Sequence, residues 1–139
     1  MKHNFALEWL KAAYSDLVVI ESIVDNEIVT HMTAFHSQQS VEKSFKAILE
    51  YKGVTVPKKH DVRMLKKLVN MYISIDNDYI LDALNTLYID SRYPSSFGLL
   101  PNGKPTLTDA REFYEFALDI FNRICTLLKI NPEEVKISS

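Results

Sequence analysis

Residues Thr33 to Asp61 read TAFHSQQSVEKSFKAILEYKGVTVPKKHD, and the fold is decided there. At about 100° per residue, Ala34, Val41, Phe45 and Ile48 fall on one narrow apolar stripe, and Leu49 widens it. His36, Gln39, Lys43, Lys46 and Glu50 make a polar stripe on the opposite side. Ser37, Ser40, Ser44 and Ala47 line one flank. Small side chains let a neighbouring helix come close, so this helix is expected to have neighbours on more than one side. Gly53 suits a helix C-cap because it tolerates positive φ. Pro57 opposes continuation, and Asp61 is placed to cap the next helix.

Outward from this stretch, the same periodicity predicts four more helices. The first spans about Asn4 to Asp25, with Ala6, Leu10, Ala13, Leu17, Ile20 and Val24 as a bundle seam. Phe5, Trp9 and Ile23 form a second apolar flank, which predicts burial on two sides. Asp16 lies beside that flank, placed either to pair with a base from another helix or to reach solvent. The organising helix starts near Val29 to Thr33 and ends near Lys52. A third runs from Asp61 to about Ser74, burying Val62, Leu65, Leu68, Val69 and Tyr72. A fourth spans about Asn77 to Ser91, and Pro94 stops it. The fifth begins after Thr106 or Thr108 and continues to about Lys129. Thr106 and Asp109 have capping-box spacing in its Asp form. The polar tail from Asn131 is expected to fray.

Between the last two long helices, residues 95–105 hold most of the loop punctuation: Ser95, Ser96, Gly98, Pro101, Gly103 and Pro105. This is the longest irregular stretch, with Phe97, Leu99 and Leu100 able to tuck against the body. No period-two alternation persists, and three glycines and five prolines are too few for an all-β chain. The expected fold is therefore all-α, an up-and-down antiparallel bundle of four to five helices over residues 1–130, with a tail over 131–139.

Composition bounds the function. The 139 residues suit one domain, and 47% hydrophobic with 24% charged residues is ordinary for a globular protein. No apolar run reaches membrane-spanning length and the N-terminus has no secretory apolar region, so the chain reads as cytoplasmic. The single cysteine, Cys125, falls on an apolar helical stripe and reads as a buried thiol. The formal charge of −2 hides a segregation. Eight of the sixteen bases lie between Lys43 and Lys67, opposed only by Glu50 and Asp61, a local charge of +6. Four aspartates and no base occupy Asp76 to Asp90. Either the basic stretch attracts phosphate, or the basic and acidic helices lie side by side and neutralise each other.

The string Phe35-His36-Ser37-Gln38-Gln39-Ser40-Val41-Glu42-Lys43-Ser44-Phe45-Lys46-Ala47 closely resembles the signature of the HEPN family, the higher eukaryotes and prokaryotes nucleotide-binding domain. Three further elements agree in order and spacing: Tyr14-x-Asp16-Leu17, Pro57-x-x-His60-Asp61 and Ser91-Arg92-Tyr93-Pro94. The resemblance implies a helical bundle, often a homodimer, with nucleotide or RNA binding. It implies pairing with a small nucleotidyltransferase in arrangements similar to toxin–antitoxin systems. Some members are metal-independent ribonucleases with an Arg followed four to six residues later by His at a dimer interface. No His follows His60 in this chain, so neither Arg92 nor Arg63 has that partner.

The candidate nucleotide- or RNA-binding residues are His36, Gln39, Lys43, Lys46, Arg92 and Tyr93. Lys supplies charge, Gln and His hydrogen bonds, Arg a bidentate phosphate clamp and Tyr a stacking ring. A solvated or dimer-packed helix face is the competing reading for the first four. For Arg92 it is neutralisation of helix C-terminal carbonyls and of a carboxylate such as Asp16. His60 reads as a base oriented by Asp61 or as a helix-start residue. His3, His31, His36 and His60 show no ligand cluster, and no catalytic residue, metal or cofactor is assigned. The expected activity is that of a binding module. The alternatives are an unconventional ribonuclease using Arg92 with His36 or His60 across a dimer, and a purely structural dimerisation module.

Overall fold

The computed structural model describes residues 2–90 and 104–136, with side chains given for 3–87 and 104–136. Six α-helices occur among them: α1 Lys2–Ile23, α2 Thr30–Lys52, α3 Val62–Val69, α4 Asp78–Asp90, α5 Leu107–Leu128 and α6 Pro132–Lys136. A single 3-10 turn, Glu27–Val29, joins α1 to α2, started by the Asn26 side chain accepting the Ile28 amide. No strand occurs among the described residues. The architecture is an all-α antiparallel bundle, as the periodicity predicts.

α2 is its axis. It packs against α1, α3, α4 and α5. Ala34, Val41, Phe45, Ile48 and Leu49 are fully buried, and so are Ser37, Ser40, Ser44 and Ala47. The small flank works as its residue sizes suggest: the Ser40 hydroxyl donates to the Ala13 carbonyl at 3.1 Å, across the α1–α2 contact. The α2 terminus closes on Gly53, at φ 74°, whose amide reaches the Glu50 carbonyl while the next amide, of Val54, reaches the Leu49 carbonyl. Tyr14 and Phe121 stack obliquely at 5.9 Å where α1 meets α5. The chain segment before α5 is pinned to the α2 start by the Thr30 hydroxyl, which donates to the Pro105 carbonyl at 2.6 Å. Thr106 and Asp109 then close the expected capping box.

Three expectations need correction. α3 ends at Val69, not near Ser74. Beyond it the amides of Tyr72 and Ile73 both return to the Val69 carbonyl in a turn, and the non-helical segment that follows buries Ile73 and Ile75. Leu68 consequently points outward, 40% exposed. The second flank of α1 is buried only in part: Trp9 packs against the core and Ile23 is half-buried, but Phe5 is 51% exposed. The tail from Asn131 does not fray at once: α6 follows, with Val135 buried against the core. The 95–105 loop falls outside the described residues except for its last two.

Candidate functional site

His36, Gln38, Gln39, Glu42, Lys43 and Lys46 of α2 do not form a solvated face. They sort into two networks, one on each side of the helix. The first joins α2 to α1. His36 Nδ1 lies 2.9 Å from Asp16 Oδ1, and Lys43 Nζ lies 2.8 Å from Asp16 Oδ2. A carboxylate can only accept, so the imidazole carries its proton on Nδ1 and presents Nε2 away from Asp16. Asp16 is buried and has the base from another helix that its position allows.

The second network joins α2 to the loop before α3. Glu42, 3% exposed, receives Lys46 Nζ at 2.9 Å on one oxygen and lies 3.0 Å from His60 Nδ1 on the other. Gln38 donates to the His60 carbonyl at 2.7 Å and is itself the acceptor for Gln39 at 2.7 Å. Lys46 also sits 5.4 Å from the centre of the Trp9 ring. A buried ion pair is tolerable only when such added bonds satisfy its remaining donors and acceptors. Asp61 does not orient His60; it caps α3 by accepting the amides of Arg63 and Met64. The His60 ring is oriented by Glu42 instead, with 53% of its side chain exposed.

Of the six sequence candidates, four are therefore brought into these networks. His36, Gln39 and Lys43 are half-buried, along one line of α2. Lys46 is buried, its ammonium engaged by Glu42 and Trp9. Arg92 and Tyr93 lie outside the described residues. Sequence reasoning misses Gln38 and Glu42, although Gln38, Glu42 and Lys46 repeat at a spacing of four. A polar row inside two apolar flanks is the signal that could have found them.

Charges elsewhere follow the neutralising pattern in part. Lys66 pairs with Asp78, and Arg63 Nε lies 3.0 Å from Asp82, so α3 and α4 answer each other. An open pocket of about 210 Å³ lies there, between Arg63, Lys67 and Asp82. Among the described residues no group of three His, Cys, Asp or Glu side chains is placed to hold a metal. Cys125 is fully buried, and burial pushes its thiol up to about 11. No helix of the described chain is long and apolar enough to cross a membrane.

The polar networks tie together the same residues that carry the family signature. The sequence model of the HEPN domain matches residues 6–130. The chain belongs to the HEPN domain family. No curated protein and no solved structure matches it. The match runs from the first buried residue of α1, Ala6, to Ile130, just past α5. In this HEPN chain the signature therefore has an internal use: Asp16, Gln38, Glu42 and Lys46 fasten α1 and the 53–61 loop to α2.

Proposed function

We propose that this HEPN-family protein is a binding module for a nucleotide or RNA that works as a homodimer beside a small nucleotidyltransferase, in a toxin–antitoxin-like pair. Family membership supports a nucleotide- or RNA-related module. The observation that carries the site is the half-exposed row His36, Gln39 and Lys43. It is pre-set by Asp16 and Gln38, and α1, which supplies Asp16, also carries the exposed Phe5 and Val19. An imidazole held through Nδ1 offers Nε2 to a base or ribose hydroxyl, and the Lys43 ammonium retains donors for a phosphate. Arg92 and Tyr93 complete the set as clamp and stacking ring. The apolar side chains on α1 are the surface for the second copy.

The test is a thermal-shift series with ATP, other nucleotides and a short RNA, with light scattering on the same samples. A ligand at 100 times its Kd adds about 2.7 kcal/mol to stability, a clear rise in Tm. The expected result is a dimer whose Tm rises with one of these ligands and loses that rise in Lys43→Glu. A monomer unmoved by every ligand, and not retained by a nucleotidyltransferase partner, ends the proposal.

A second reading has an observation of its own. His36 and His60 are each held through Nδ1 by a carboxylate, the arrangement that readies an imidazole as general base for a 2′-hydroxyl. Under it, wild type cleaves RNA in the presence of EDTA and His36→Ala or His60→Ala loses that activity. Absence of cleavage by wild type dismisses it.

A further inference from the structure

The 53–61 loop is fixed at both ends and fastened by polar bonds between them. Its start is the α2 cap, where the Gly53 and Val54 amides reach the Glu50 and Leu49 carbonyls. Its end is α3, where Asp61 caps the helix and the Val62 amide donates to Asn85 Oδ1 of α4 at 3.2 Å. No residue from 53 to 61 is buried: Val56 and Pro57 are half-buried and the others are exposed. The hold on α2 comes through His60. Its carbonyl accepts from Gln38 Nε2 at 2.7 Å, and its ring Nδ1 lies 3.0 Å from Glu42 Oε1.

The row that His60 meets on α2 is polar and charged. Gln38, Glu42 and Lys46 are buried and stand one helical turn apart. Lys46 Nζ lies 2.9 Å from Glu42 Oε2 and 5.4 Å from the centre of the Trp9 ring. Taking a carboxylate and an ammonium out of water carries a desolvation penalty, and lifting the loop gives part of it back. A cover over apolar side chains gains no such return on opening. Segments with few buried apolar contacts are the ones that open below the free energy of global unfolding. α3, by contrast, is held by Val62, Leu65 and Val69, all fully buried, so the loop can move between firm ends.

We infer that the 53–61 loop is a strap that lifts from α2 while the bundle stays folded, releasing His60 and opening the Gln38–Glu42–Lys46 row to water. The inference stands apart from the binding reading above and does not need a ligand. Gly53 and the Asp61 cap are the hinges, being the element ends that must absorb the backbone rotation. The signature helix then has two states. In the closed one Glu42 and Lys46 neutralise each other out of water. In the open one both are hydrated, and the His60 ring is free of its carboxylate.

The test is native-state proteolysis with trypsin, since the strap carries its own cleavage site at Lys58 and Lys59. Cleavage of the Lys58–Lys59 bond is followed by mass spectrometry at urea concentrations below the unfolding transition. Each rate is divided by that of a free peptide of residues 50–64 with the same sequence change. The expected wild-type rate is slower than the peptide's and almost flat in urea, because lifting the strap exposes little surface. Gln38→Ala and His60→Ala should each be cut at least tenfold faster. His60→Asn, which keeps a donor toward Glu42, should stay within threefold of wild type. Thr106→Ala, which weakens the cap of α5, should not speed this cut. If Gln38→Ala fails to fold, His60→Ala, whose ring is half-exposed, carries the comparison. A wild-type rate that climbs with the urea slope of global unfolding overturns the strap, and so does one equal to the free peptide's. Rates for His60→Ala within twofold of wild type, or matched by Thr106→Ala, overturn it as well.

Discussion

At the scale of the residue, Glu42 decides more than its neighbours. It is a buried carboxylate shared by an ammonium, an imidazole and an amide. Glu42→Ala leaves Lys46 charged and enclosed without a partner, so a cost of about 3–5 kcal/mol is expected in urea unfolding. Glu42→Gln, which keeps an acceptor, should lose less. Asp82→Ala removes only an exposed pair to Arg63 and should cost under about 1 kcal/mol. Equal losses for Glu42→Ala and Asp82→Ala would mean that the buried network contributes nothing beyond surface charge. The sequence shows these residue types and their spacing, and from them the family. It does not show which polar groups face inward, because Glu42 and Lys46 look the same in a helical projection as a solvated i, i+4 pair. Only the arrival of the 53–61 loop and of Trp9 turns that pair into an interior one.

At the scale of the element, helix ends are most legible where a chemical signal marks them. Gly53, Asp61 and the Thr106–Asp109 box stand where the sequence places them. Asp61→Ala should destabilise by about 1 kcal/mol and Thr106→Ala by about 0.5–2 kcal/mol, read as lowered urea midpoints with unchanged slope. The end of α3 has no glycine or proline to announce it. The run Leu68-Val69-Asn70-Met71-Tyr72 keeps a helical rhythm, and the helix stops at Val69 where a turn and an irregular segment bury Ile73 and Ile75. The Phe5 flank of α1 departs from expectation for a related reason: periodicity reports an apolar face but not what covers it. The Arg92–Tyr93 part of the candidate site is outside the described residues, so sequence alone speaks for it.

At the scale of the whole molecule, the titrating groups set an alkaline limit. The Cys125 thiol is raised to about 11 by burial, against an ordinary value of 9.0. An unfolded chain loses this proton first, so the stability it contributes is full below pH 9 and is lost as pH rises from 9 to about 11. The loss is on the order of 2–3 kcal/mol. Tyr114, raised by burial and then by Glu21, adds to the loss above pH 10. His31 acts from the other side: burial and then Lys104 lower it, so the unfolded chain takes up its proton more readily and stability falls as pH drops below 6.5. Urea midpoints at pH 7.5, 9 and 10.5 check the alkaline arm, and Cys125→Ala should flatten it. A midpoint that does not move between pH 9 and 10.5 would contradict this.

One further consequence belongs to α6. Its packing on α1 sets Glu134 Oε1 3.2 Å from His3 Nε2, so the first and last helices of the described chain end side by side. The order in which the helices are strung together is then separable from the way they pack. A circular permutant that joins the two ends by a short glycine–serine bridge, and opens the chain at the exposed Asp25–Asn26 turn between α1 and α2, should refold to the same bundle.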